Sequence, residues 1–175
     1  MGGLLFDILI KMEIKTETVT REGKKLYITY KEGNRDVELN GIVLNGVSGH
    51  CFYGDKLVIV RDKNDTWGFP GGAIEKNETL EEATTREVKE ESNMKVLHQE
   101  YIGYQILKFE NGKTILHASS FCVVEPFGDF VSDPDNDITE IKFIDPKDFK
   151  QYIHWSEAGD RIMERAMEMK NKYRV

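Results

Sequence analysis

A helix that turns three glutamates toward its own apolar side is the strongest constraint in this sequence. Residues 80–92 read LEEATTREVKEES, with neither Gly nor Pro, and Thr79 with Glu82 forms a capping box at their start. The pattern predicts a helix over 80–92, ended by Asn93 in a left-handed conformation, a role Asn fills second only to Gly. Leu80, Ala83 and Val88 mark the apolar side. At about 100° per residue, Glu87 and Glu91 fall within about 20° of Leu80 and Glu90 within about 80°. Lys89, Glu82 and Thr85 occupy the far side and read as solvated. A run of glutamates is ordinarily a solvated face, but these three point with the core residues. Carboxylates at i, i+3 and i+4 repel one another. Partly buried together, they must take up protons or hold a cation. Hard oxygen ligands in a cluster suit Mg²⁺ or Mn²⁺. Arg86 stands at i+4 from Glu82 and i−4 from Glu90, so it can hold the cluster by ion pairs, if it is not simply a surface partner.

The approach to this helix serves the same end. Pro70 stiffens it, and Gly71 and Gly72 let the backbone come close to a metal or a phosphate, although Pro-Gly-Gly alone is usually just a turn. Residues 67–72 read as a rigid Gly-rich loop. Upstream, 13–39 alternates polar and apolar residues, most clearly at Leu26-Tyr27-Ile28-Thr29-Tyr30, and predicts two or three strands. Residues 41–47 are a further apolar run. Cys51-Phe52-Tyr53 and 57–60 flank Gly54-Asp55, a hairpin signal. Downstream come strands over 101–109 and 114–124 joined by Asn111-Gly112, an acidic loop over 129–137, and a strand over 140–144. Pro146 begins a turn or short helix. An amphipathic helix over 157–172 closes the chain, with Ile162, Met163, Ala166 and Met169 at helical spacing. There is no internal repeat.

Composition excludes several function classes. With 175 residues, 39% of them hydrophobic, the chain can build one real core. A net charge of −7 repels phosphate backbones, so nucleic acid is not an expected partner. A small phosphorylated substrate stays open, because bound cations reverse the sign locally. No apolar run reaches the ~20 residues of a membrane span. The start, MGGLLFDILI, is apolar but carries Asp7 and no basic flank, unlike a signal peptide. Phe6 stands where a myristoylation motif wants Ser or Thr. Cys51 and Cys122, without CxxC spacing, are expected as buried thiols of a cytoplasmic protein. His50, His98, His117 and His154 have no metal-binding spacing and are expected to be structural or surface residues.

These residues together resemble the Nudix hydrolase family. Its motif is Gly, five residues, Glu, seven residues, then Arg-Glu-aliphatic-x-Glu-Glu-x-Gly-aliphatic. The chain has Gly72, Glu78 and Arg86-Glu87-Val88-Lys89-Glu90-Glu91-Ser92-Asn93-Met94 in that spacing, with Asn93 in place of the family's Gly. The likeness extends from about 41 to 149. It implies an α+β fold, an α/β/α sandwich around a mixed sheet. Residues 1–40 would be an N-terminal extension with short strands, which either extend the sheet or pair with a second copy in a homodimer, and 41–175 the hydrolase domain. It also implies hydrolysis of a nucleoside diphosphate linked to another group, with Mg²⁺ or Mn²⁺ as cofactor and a small-molecule nucleotide as partner. Carried over by position, Glu87, Glu90 and Glu91 are metal ligands, with a backbone carbonyl at Gly71 or Gly72. Arg86 would orient Glu87, and Glu78 would be a further carboxylate beside the cluster and its substrate. The general base would be Glu87 or an acid from 133–140, Glu140 first among them; the alternative for Asp133, Asp135 and Asp137 is a solvated loop.

Markers of substrate are absent. Phe109 lies near the place of the Pro of ADP-ribose enzymes, and Asn111 near the Tyr of diadenosine-polyphosphate enzymes. Nucleoside triphosphates, oxidised or non-standard ones included, are therefore the first expectation and ADP-ribose or ADP-sugars the second. A binding or sensor module without turnover is the alternative of a different class, although such modules usually lose motif carboxylates that this chain keeps. Trp155 and Glu157 resemble the Trp and acids with which Nudix enzymes that cleanse oxidised purine nucleotides hold the base. Alternatively, Trp155 anchors the closing helix and Glu157 serves its N-terminus.

Overall fold

Alternation along the central strands builds a sheet with two apolar faces, and one helix covers each. The computed structural model describes residues 12–20, 22–33 and 43–173. The apolar start over 1–10 and the stretch 34–42 lie outside the described residues. In chain order the elements are β1 (Met12–Val19), β2 (Lys25–Glu32), β3 (Gly46–Tyr53), β4 (Lys56–Asp62), β5 (Trp67–Gly68), β6 (Gly71–Ala73), α1 (Leu80–Ser92), β7 (Met94–Phe109), β8 (Thr114–Pro126) and β9 (Ile138–Ile144). A 3₁₀ turn (Pro146–Gln151) and α2 (Glu157–Lys172) follow. The strands form one sheet in the order β1-β2-β7-β8-β3-β4-β5, with β6 paired to β3 and β9 to β4. The β3–β8 pair is parallel, which makes the sheet mixed.

Val47 and Cys51 of β3, Val58 of β4 and Ala118, Cys122 and Val124 of β8 belong to clusters that also hold Leu80, Ala83 and Val88 of α1. Their strand neighbours Phe52, Leu57, Ile59 and Phe121 point the other way, into a larger cluster with Ile162, Met163 and Ala166 of α2. Each fully buried aliphatic side chain contributes roughly 1.5–3 kcal/mol. The expected α+β sandwich, a mixed sheet between helices, is the observed architecture.

The N-terminal strands extend the sheet. β2 pairs antiparallel with β7 from Leu26↔Phe109 to Glu32↔Gly103, and β1 forms the outer edge. Arg161 of α2 ties this hairpin down by donating from Nε and Nη2 to Glu32 at 2.9 and 2.8 Å, a two-pronged pair.

Three elements differ from expectation. β3 runs straight through Ser48-Gly49-His50, because a central strand buried on both faces loses the polar–apolar period. β7 begins at Met94 and passes two irregularities against β8, which scramble the alternation of its first half. The Gly-rich stretch 67–72 contributes two short strands, β5 and β6, to the sheet. The helix α1 keeps its expected bounds, with the Thr79–Glu82 capping box formed at both of its hydrogen bonds.

Asn93 ends α1 at φ 52 and ψ 35, the left-handed conformation expected of it, and its side-chain amide donates to Asp129 O at 3.0 Å. Asn93→Gly is therefore expected to be near neutral, within about 0.5 kcal/mol, relief of backbone strain offsetting the lost bond to the loop. Asn93→Val is expected to cost about 1–2 kcal/mol, because a β-branched residue resists positive φ. Urea unfolding of both variants reads the difference. Equal stabilities would show that the backbone conformation carries no cost.

Candidate active site

Helix geometry brings four charged groups of α1 to the edge where β6 meets β3. Arg86 is the hub. Its Nε and Nη2 donate to the two oxygens of Glu78 at 2.8 and 2.9 Å. Its Nη1 donates to Glu87 at 2.8 Å and Glu90 at 3.1 Å, and Nη2 also reaches Ala73 O at 2.9 Å. All of the guanidinium's donors are thus used, and it fixes the glutamates relative to β6. Glu91 accepts from the Gly71 amide at 2.8 Å. Glu87 is 9% exposed and lies against Gly72, where a Cβ would come within 2.4 Å of its Oε1.

The electrostatics follow from burial and from the ratio of charges. Arg86 holds Glu78 below the usual carboxylate range. Burial pushes the Glu87 carboxyl up, against the opposing pull of Arg86. Burial pushes Glu91 up to about 7; the Gly71 N–H opposes this, and the charges of Glu87, Asp133 and Asp137 add to it. Among the described residues no three acidic, His or Cys side chains are already gathered as a metal site. Arg86 draws Glu87 and Glu90 to itself, and the Gly71 amide draws Glu91. The donor set nevertheless fits a divalent cation. It is made of oxygens, partly buried, and carries more negative charge than one guanidinium neutralises.

Two expected site residues lie elsewhere or act differently. Glu140 is not brought to the cluster. It pairs in register with Arg61 and forms an ion pair with its Nη2 at 2.7 Å, on the α2 face of the sheet. The alternation of β9 decides this: Glu140 shares a face with Ile144, which packs in the α2-side cluster, whereas Glu87 and Glu91 belong to α1 on the other face. The loop acids that act on Glu91 are Asp133 and Asp137. Asp133 is buried, its carboxylate accepting from Ile138 N at 3.1 Å, and nothing in its sequence neighbourhood marks it above Asp135. Glu78 has both oxygens engaged by Arg86, so its visible work is to hold the guanidinium. Trp155 is 37% exposed, and its ring centroid is 5.0 Å from that of Phe69. Glu157 is exposed in the first turn of α2, beside an N-cap, Ser156, that makes no side-chain capping bond.

His50, on β3, is fully buried, and neither ring nitrogen has a hydrogen-bond partner among the described residues. Burial pushes its imidazole down to about 3; the Ser120 backbone opposes this, and His117 adds to it. An unfolded His titrates near 6.5. Above that pH both states are neutral and the contribution to stability is complete. As pH falls toward 3 the unfolded chain takes a proton that the native state refuses, so stability is lost with acid. Between pH 7 and pH 4 this is on the order of 2–3 kcal/mol. His50→Phe is expected to remove that part of the slope, measured by melting at several pH values. An unchanged slope would place the acid sensitivity elsewhere.

Comparison with known proteins adds three findings. A family model described as NUDIX domain matches residues 44–165. A Bacillus subtilis (strain 168) protein, YtkD, whose name gives 8-oxo-dGTP diphosphatase as a provisional activity, is 37% identical over 76 residues, which are 43% of this chain and 47% of that protein. The match thus spans about half the length of that relative. Among solved structures, a mutant of the Bacillus subtilis pyrophosphohydrolase BsRppH superposes with a TM-score of 0.67 at 18% identity, over 88% of this chain and 97% of that one. The NUDIX domain of Shewanella oneidensis NrtR, solved with ADP ribose, gives 0.59 at 17% identity, over 79% and 99%. At these identities the structures speak for the fold.

Proposed function

The chain belongs to the NUDIX family, and from that premise we propose that it is a divalent-cation-dependent pyrophosphohydrolase of nucleoside triphosphates, oxidised or non-standard ones included. One observation carries the reading: Glu87 is buried and Glu91 half-buried, Glu90 joins Glu87 on a fully engaged Arg86, and Glu91 is held by a backbone amide. Such an arrangement costs stability and is hard to explain as a solvated face. Glu87, Glu90 and Glu91, with a carbonyl of Gly71 or Gly72, would hold Mg²⁺ or Mn²⁺. When bound, the cation would neutralise the diphosphate oxygens and help to activate water. Arg86 orients Glu87 and Glu90, and Glu78 keeps Arg86 in place. The proton of the attacking water goes to Glu87, or to Asp133 or Asp137 from the neighbouring loop. Trp155 and Glu157 lie at the start of α2, where they would meet the base. YtkD's name supports an oxidised purine nucleotide as the substrate. The ADP ribose in the NrtR structure favours the second reading, an ADP-ribose or ADP-sugar pyrophosphatase.

We assign 41–175 to the hydrolase and 1–40 to an extension. The two cysteines, both buried and free, fit the reducing cytoplasm. Among the described residues no helix is long and apolar enough to cross a membrane. The test is a panel of the four deoxynucleoside triphosphates, 8-oxo-dGTP and ADP-ribose with Mg²⁺, scored for pyrophosphate, phosphate and nucleoside monophosphate. A triphosphate turned over to monophosphate, and activity abolished reversibly by chelator, is the expected result. No turnover of any member with Mg²⁺ or Mn²⁺ would overturn the enzymatic reading.

A further inference from the structure

The strand β1 ends the sheet, and among the described residues the outer side of its backbone has no partner. It holds neither Gly nor Pro and keeps register with β2 without a break from Met12↔Glu32 to Val19↔Lys25. At 8 residues it is longer than the usual ~5–6. So long and regular an edge is a template for another strand. Proteins guard such edges with a bulge, a Pro or charge, and β1 has only charge, in Glu13, Lys15 and Glu17. That charge alternates in sign, so it selects a partner and does not simply exclude one. The backbone groups on the open side follow from the hairpin. Thr20 N–H donates to Lys24 O at 2.7 Å. Bonded pairs alternate along an antiparallel ladder, so from Thr20↔Lys24 the even-numbered residues of β1 bond to β2. Glu13, Lys15, Glu17 and Val19 therefore turn their N–H and C=O groups outward. Their side chains are exposed, whereas Ile14, Thr16 and Thr18 are half-buried on the α2 face.

We propose that β1 pairs antiparallel with β1 of a second copy of this chain, about a two-fold axis at Thr16, so that two sheets join into one. The proposal is independent of the hydrolase reading. Outward groups must meet outward groups, so odd-numbered residues must face odd-numbered residues. Two registers of that kind pair all of β1 but one end residue. Centred on Lys15, residues 12–18 pair, Lys15 faces the partner's Lys15, and Glu13 faces the partner's Glu17. Like charges directly opposite are destabilising. Centred on Thr16, residues 13–19 pair, Lys15 faces the partner's Glu17, and Glu17 faces the partner's Lys15. Opposite charges across two strands are stabilising, and symmetry supplies the pair twice. Four odd pairs, each exchanging two bonds, give about eight new main-chain hydrogen bonds. The acidic cluster beside β6 and β3 lies beyond β2, β7 and β8, so the interface leaves both candidate active sites open.

Sedimentation velocity of the full chain, from micromolar to near-millimolar concentration, reads the association. The unaltered protein is expected to pass from monomer to dimer. Lys15→Glu and Glu17→Lys each set like charges in both symmetric pairs and are expected to raise the dimer Kd about tenfold or more. Both side chains are exposed, so Tm is expected to stay the same. Mixed in equal amounts, the two variants are expected to recover the dimer, because positions 15 and 17 are again opposite in sign across the interface. A monomer at every concentration would overturn the proposal, as would a dimer indifferent to both reversals or a mixture that does not recover. Register is read by crosslinking. Thr16→Cys places two thiols on a non-bonded pair with Cα atoms about 4.5 Å apart, within reach of a disulfide. Oxidised glutathione is expected to convert it to a covalent dimer, releasing reduced glutathione, and to do so faster than for Lys15→Cys. Crosslinking no faster at Thr16→Cys would overturn the register. Amide hydrogen exchange names the occupant. The N–H groups of Glu13, Lys15 and Glu17 are expected to gain protection as concentration rises; equal protection at every concentration would assign the edge to another segment of the same chain and overturn the dimer.

Discussion

Glu91→Gln is expected to lower turnover at limiting Mg²⁺ by at least about a hundredfold while leaving the metal-free protein as stable as before or more so. The two effects have one cause. Glu91 is held among Glu87, Asp133 and Asp137 in a partly buried place, and its carboxyl is pushed up to about 7. A charge so disfavoured weakens the free protein and is tolerated where a cation will neutralise it. Gln keeps an oxygen able to accept from the Gly71 amide, so the local hydrogen bond survives. It removes the negative charge, and with it the attraction for Mg²⁺. Rates across a Mg²⁺ titration, with melts in the presence and absence of Mg²⁺, give both numbers. The wild type should gain Tm on adding Mg²⁺ and the variant little. Near wild-type rates at limiting Mg²⁺ would show that Glu91 holds no metal.

Gly71→Ala and Gly72→Ala are expected to fail in opposite ways. At Gly71 a Cβ would lie 2.2 Å from Val47 O and 2.8 Å from Ser48 Cα, both backbone atoms of the paired strand β3. Neither can yield without parting β6 from β3, so Gly71→Ala should cost on the order of 3 kcal/mol or more. At Gly72 the obstruction is the Glu87 carboxylate, with Oε1 at 2.4 Å and Oε2 at 2.7 Å. That is the end of a flexible side chain, and it can swing away for about 1 kcal/mol or less. The swing takes Glu87 off its bond to Arg86 and out of the cluster, and a displacement of about 1 Å there is enough to cost on the order of a hundredfold in rate. Urea unfolding and steady-state kinetics on both variants separate fold from function. A stable, active Gly72→Ala would show that the position of Glu87 does not matter to turnover.

Much of the site is legible in the sequence because its physics is local. The capping box at Thr79, the left-handed Asn93 and the reach of Arg86 to Glu90 all follow from helical spacing within one or two turns. The grouping of Glu87, Glu90 and Glu91 also follows from the helical wheel, so spacing alone sets these residues apart from an ordinary charged face. Strands are less legible where both faces are buried. β3 shows no period because its residues pack into α1-side and α2-side clusters alike. Glu140 departs from its expected place for a related reason: nearness to the cluster along the chain says nothing about which face of β9 a side chain takes.

The amino-acid order dictates α1, its caps, the inward carboxylates and the family to which their spacing belongs, since each depends on residues a few positions apart. Long-range packing is what makes Asp133 and Asp137 act on Glu91 while Glu140 does not, and what buries His50 against Phe69 and Trp155 with no hydrogen-bond partner among the described residues. Those facts depend on pairings between strands that are distant in sequence. Register and face are set there by burial summed over the whole sheet, and shifting a strand by one residue turns every side chain to the opposite face.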